Sequence, residues 1–133
     1  MARSGLRKTL HIGFDEALVR VPEALKAEGF GVLTEVDVRQ TLQRKLGVEF
    51  RRYRILGACN PSFAHEALQT DLAAGLMMPC NVVVYEDDHG RANVLAVDPI
   101  KSAEATGDPR LIELAGSVQE KLERALATLA YGR

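Results

Sequence analysis

The segment from Pro79 to Val97 constrains this chain more than any other. Asn81, Val82, Val83, Val84 and Tyr85 make up its most apolar, β-branched run, and runs of that kind belong to strands inside a sheet. Asp87-Asp-His-Gly90 follows, a turn-forming tetrapeptide leading into a second strand-like run from Arg91 to Val97. Two strands joined by so short a turn form a hairpin, which fixes at least one antiparallel pair.

Upstream, strand-like and helical spacings alternate. Leu6 to Ile12 alternates polar and apolar residues and reads as a first strand. Ala17, Leu18, Val21, Ala24 and Leu25 recur at helical spacing, and Gly29 is a fitting stop. Pro22 lies inside that pattern. It removes one intrahelical hydrogen bond, so the helix is expected to kink there or to divide into two short pieces. Phe30 to Val36 reads as a second strand. Asp37 with Gln40 three residues on resembles a capping box, opening a short helix that carries Val38, Leu42 and Leu46 and ends at Gly47.

Tyr53 to Cys59 reads as a third strand. Asn60-Pro61 supplies an N-cap and a first helical residue, with Phe63, Ala64, Ala67 and Leu68 as the buried face of the helix that follows. Asp98-Pro99 stops the hairpin's second strand. Asp108-Pro109 starts the last helix, whose apolar stripe from Leu111 to Leu129 continues for about 20 residues, or roughly 30 Å. The order β-α-β-α-β-α-β-β-α predicts an α+β fold: a mixed, mainly antiparallel sheet of about five strands with helices packed on it.

A length of 133 residues fits a single domain over residues 1–133. Lys and Arg total 17 against 18 Asp and Glu, for a net charge of −1. A chain so close to neutral lacks the positive field that nucleic-acid binding draws on, so no nucleic-acid partner is expected. No apolar run is long enough to cross a membrane, and the basic N-terminal residues lead into a strand rather than a signal-peptide core. Two cysteines do not make a disulfide scaffold, so a cytoplasmic location with reduced thiols is expected.

Four stretches carry a family likeness: Glu28 to Asp37 (EGFGVLTEVD), Tyr53 to Pro61 (YRILGACNP), Met78 to Val84 (MPCNVVV) and Val97 to Pro99 (VDP). In order and spacing the chain resembles the domain of unknown function 302 family over residues 8 to 128. The resemblance implies a compact α+β protein that forms a homodimer, and it implies no established activity. The sequence departs from the family pattern at Pro22 and at Met77-Met78, where leucines would be expected. Leucine and methionine exchange at low cost in a core.

The chemistry worth weighing lies at two Cys-Asn steps, Cys59-Asn60 and Cys80-Asn81. Cys59 stands at a strand end beside a helix N-terminus, where anions are stabilised and a thiol can become a nucleophile or ligand. Cys80 opens the apolar strand. If their strands are neighbours, Cys59, Asn60, Cys80 and Asn81 meet at one sheet end and form a candidate site for a small-molecule ligand. Met77 and Met78 are then within reach as thioether donors to a soft metal. Free cysteine also commonly just packs, and Asn60 is explained as a cap.

No zinc site and no cofactor are expected, because the two cysteines are 21 positions apart (59 and 80) and His11, His65 and His89 are scattered. Glu35 and Asp37 read as a solvated face and a helix cap. The Arg51, Arg52 and Arg54 cluster could grip a phosphate or carboxylate. No phosphate loop, dinucleotide fingerprint or catalytic-triad motif is present. The leading expectation is a homodimeric ligand- or partner-binding accessory protein. The alternatives are a cysteine-dependent redox or sulfur-transfer protein and a soft-metal carrier.

Overall fold

Five strands form one sheet in the order β1-β5-β4-β3-β2, and every neighbouring pair is antiparallel. The computed structural model describes residues 6–129. The strands are β1 (Arg7–Thr9), β2 (Gly31–Asp37), β3 (Tyr53–Cys59), β4 (Cys80–Glu86) and β5 (Ala92–Ala96). The helices are α1 (Phe14–Ala27), α2 (Val38–Leu46), α3 (Pro61–Thr70), α4 (Pro99–Glu104) and α5 (Pro109–Leu129), with a 3-10 turn at Leu72–Leu76. The α+β expectation holds, and the apolar run expected inside the sheet is β4, between β5 and β3.

Register explains how the sheet divides into two faces. Leu56 pairs with Val82, and Val82 with Ala96; Arg54 pairs with Val84, and Val84 with Val94. Leu56, Val82, Val84 and Val94 are at most 1% exposed and share the main core with Val21 and Leu25 of α1 and with Leu122 and Leu126 of α5. Alternate residues point the other way. On that opposite face Val36, Ile55, Val83 and Leu95 form one cross-strand row, with Tyr53 stacked on Tyr85 beside it. None of these six is fully buried.

Helix α1 stays in one piece although Pro22 lies within it. Phe14, Ala17, Val21 and Leu25 are all buried on one face, on both sides of the proline. Each large apolar side chain contributes about 1.5–3 kcal/mol on burial, so three of them outweigh the roughly 3 kcal/mol cost of an interior proline. The helix stops at Gly29, whose φ of 89° is left-handed, and Phe30 N–H then bonds back to the Leu25 carbonyl at 2.9 Å.

Strand β2 carries a bulge between Val32 and Thr34, which leaves Leu33 68% exposed. Asp37 caps α2 as expected, accepting from Gln40 N–H at 3.0 Å. That helix nevertheless buries no residue, and Leu46 is 68% exposed. Leu68, expected on the buried face of α3, is exposed as well.

Helix α4 and the 3-10 turn were not anticipated. Asp98 caps α4 by accepting from Ile100 and Lys101 N–H groups at 3.0 and 3.2 Å. Ala67, Ala74, Ala103, Leu111 and Ala115 make a second small core where α3, the 3-10 turn and α4 meet the first turns of α5. The whole apolar stripe of α5, from Leu111 to Leu129, is thereby buried within the chain.

Candidate functional site

Ala58 and Cys80 are paired across β3 and β4, so the two Cys-Asn steps do come to one end of the sheet. Cys59 ends β3 half-buried, and Cys80 opens β4 at 8% exposure. Both line a single cleft closed by Phe63, Ala64 and Ala67 of α3 and by Leu114 and Val118 of α5. Met77 and Met78, just ahead of the cis Met78–Pro79 peptide bond, line it too.

The four proposed residues divide. Cys59, Asn60 and Cys80 line the cleft, whereas Asn81 is exposed, pairs with Gly57 and lies outside it. Strand alternation is the reason, since neighbours 80 and 81 must face opposite sides of the sheet. Asn60 occupies the N-cap position of α3 with extended backbone, yet its side chain makes no cap hydrogen bond. Its Nδ2 instead donates to the Glu28 carbonyl at 3.4 Å, tying the start of α3 to the end of α1. The cap reading of that side chain is therefore replaced by a tether between two helix ends.

The cleft is small and apolar. Its volume is about 40 Å³, room for two or three water molecules at ~15 Å³ each and far below the ~300 Å³ of an ordinary organic-ligand pocket. Among the described residues lining it there is no acid, lysine, arginine or histidine. Burial consequently dominates the thiols: it raises the Cys59 pKa above 9.0, and it raises Cys80 to about 11, with the Cys59 charge adding to the latter. Both are protonated at neutral pH, so the lowered pKa expected beside a helix N-terminus is not what this site has. Desolvation outweighs the helix field.

Elsewhere the polar groups are committed to structure. Arg51 pairs with Asp88 at 3.1 Å, Arg52 with Asp15 at 3.4 Å, and Arg54 with Glu35 and, at 3.4 Å, with Asp37. The arginine cluster is thus neutralised by carboxylates rather than offered to an anion. Arg52 also lies over the Phe14 ring, 5.4 Å from its centroid. His11, His65 and His89 are all exposed and none lines the cleft. Among the described residues no three His, Cys, Asp or Glu side chains cluster as a metal site, and no helix is long and apolar enough to cross a membrane.

Phe30, Phe63, Leu114 and Val118 were not singled out in the sequence as site residues, though all four wall the cleft. Only the helical periodicity of α5 and the position of Phe63 in the first turn of α3 hinted at it.

Fold and cleft together define a class: a small antiparallel-sheet α+β protein with a sulfur-lined crevice and no recognisable catalytic array among its described residues. The chain belongs to the domain of unknown function DUF302 family, whose model matches residues 6–129. An uncharacterised conserved DUF302 protein from Bacillus stearothermophilus is similar to it in crystal structure, with a TM-score of 0.84 and 34% identity over 91% of this chain and 94% of that one. No protein of curated function matches it.

Proposed function

We propose that this chain is a binding or accessory protein that acts as a homodimer and holds a small ligand in the cleft at Cys59 and Cys80. The observation that carries this reading is the convergence of two cysteines, from opposite ends of a 21-position separation (59 to 80), on one crevice. Its lack of any charged lining residue favours capture over catalysis, since acid–base or nucleophilic work needs a partner to move a proton.

The dimer reading moves to a new surface. The stripe of α5 is covered within the chain, so it cannot serve as the interface. The row of Val36, Ile55, Val83 and Leu95 is apolar where a solvated sheet face would alternate to polar residues. A second copy of this chain presents the same row, and two such faces can stack about a two-fold axis.

The rate of thiol alkylation against pH separates binding from cysteine-dependent redox or sulfur transfer. Cys59 should react slowly at pH 7 and accelerate with an inflection above its ordinary value of 9.0. An inflection well below about 8.5 would restore the nucleophile reading.

A further inference from the structure

We propose that the cleft binds a soft, low-coordinate d10 cation, of the copper(I) or silver(I) class, through the sulfur atoms of Cys59, Cys80, Met77 and Met78. The inference rests on the reading of the cleft as a binding site and names the kind of ligand it takes.

Three observations carry it. The first is the donor set: four sulfur-bearing residues line one crevice, and the only other residue with a polar side chain among those lining it is Asn60. Thiolate and thioether sulfur select soft cations, whereas magnesium and calcium need oxygen donors. Zinc is met by four thiolate, imidazole or carboxylate ligands in its structural sites, and this cleft offers two thiols.

The second is size. A volume of about 40 Å³ excludes an organic ligand of ordinary dimensions but admits a bare ion. The third is layout. Met77, Met78 and Cys80 come from one four-residue stretch entering β4, and Cys59 ends the adjoining strand at the same end of the sheet. Methionine and cysteine also fill cores, yet Cys59, Met77 and Met78 are only half-buried. They are within reach of solvent, from which an ion must arrive.

Binding replaces two S–H bonds by two S–metal bonds and releases two protons to solvent. A monovalent cation between two thiolates leaves one net negative charge. Helix α3 begins two residues after Cys59, and the Asn60 side chain makes no cap bond to it, so the positive helix end lies close along the chain to that charge. Because burial holds both thiols protonated at neutral pH, affinity must climb with pH.

The test is an anaerobic titration of the reduced full-length chain with copper(I) in competition with bicinchoninate, repeated with zinc(II) against a zinc chelator. Expected is one copper per chain, with log affinity rising by about two per pH unit between roughly pH 6 and 8, the count of thiol protons released. Cys59→Ser should weaken binding by about 100-fold or more, at or beyond the upper range seen when only a ligand's supporting partner is lost, and should halve the slope. A Met77→Leu, Met78→Leu double variant should weaken binding about tenfold and leave the slope unchanged.

Copper surrendered entirely to bicinchoninate, zinc held as tightly as copper, or a slope of zero would overturn the proposal. Arsenite, a small inorganic species that joins two adjacent thiols with loss of water, distinguishes the two levels of failure. Capture of both thiols without copper binding removes the ion and keeps the cleft as a site. Failure of both removes the site as well.

Discussion

At Asp87 one carboxylate organises the hairpin turn. Its Oδ1 accepts from the N–H groups of His89 and Arg91 at 2.9 and 3.0 Å, and its Oδ2 accepts from Asn93 Nδ2 at 3.0 Å. The Asn93 hydrogen bond, ahead of the backbone bonds and the Arg91 charge, holds its pKa down to about 2 from 3.8. A carboxyl with a folded pKa below its unfolded one stabilises the fold above the unfolded value, and that contribution disappears as pH falls through the folded value. Asp87→Ala should therefore unfold at lower urea concentration than the parent at pH 7, and the gap should close between about pH 4 and pH 2. A gap that is constant across that window contradicts the assignment. The sequence marks this residue only as part of a turn; its reach to Asn93 depends on β5 folding back, which local propensity does not encode. Asn60 teaches the same lesson, because its tether to Glu28 is a contact between segments 32 positions apart.

Among the elements, those written in local pattern were legible. Asp37, Gly29 and Gly47 end or start helices where their chemistry says they should, and the strand-like runs became strands, although the first, expected over Leu6 to Ile12, is only Arg7–Thr9. What escaped was set by packing. Pro22 argues for a broken helix on propensity, but the buried residues on both sides of it hold α1 together. Helix α4 was missed although Asp98-Pro99 carries the same signal as Asp108-Pro109; a six-residue helix is too short for periodicity to flag.

A close approach between strands provides a sharper test. A Cβ at Gly57 would run into Thr34 Oγ1 and sit 3.1 Å from Pro79 Cγ. Thr34 is β-branched and stiff, so it cannot swing aside freely. Gly57→Ala should cost about 1–3 kcal/mol in chemical denaturation, and adding Thr34→Ala should recover most of that loss. Equal stability of Gly57→Ala and the parent would show that β2 shifts at no cost.

On the scale of the whole molecule, one sheet face carries the core and the other carries a half-buried apolar row. Periodicity announced the first face, while the second depended on register, which only the assembled sheet supplies. Light scattering at micromolar concentration should give twice the chain mass. Val83→Glu, which puts a charge in the middle of the row, should give the chain mass with the fold retained. A monomeric parent would end the dimer reading.

The cleft also belongs to this scale, because strand order alone decides whether residues 59 and 80 meet. The most direct measurement is bridging by dibromobimane, a short reagent that fluoresces once both of its arms have reacted with thiols. Native protein should yield a fluorescent adduct joining Cys59 and Cys80 within one chain, and urea-unfolded protein should yield far less of it. Separate single-thiol adducts, or a bridge that forms only after unfolding, would contradict the convergence on which the account rests.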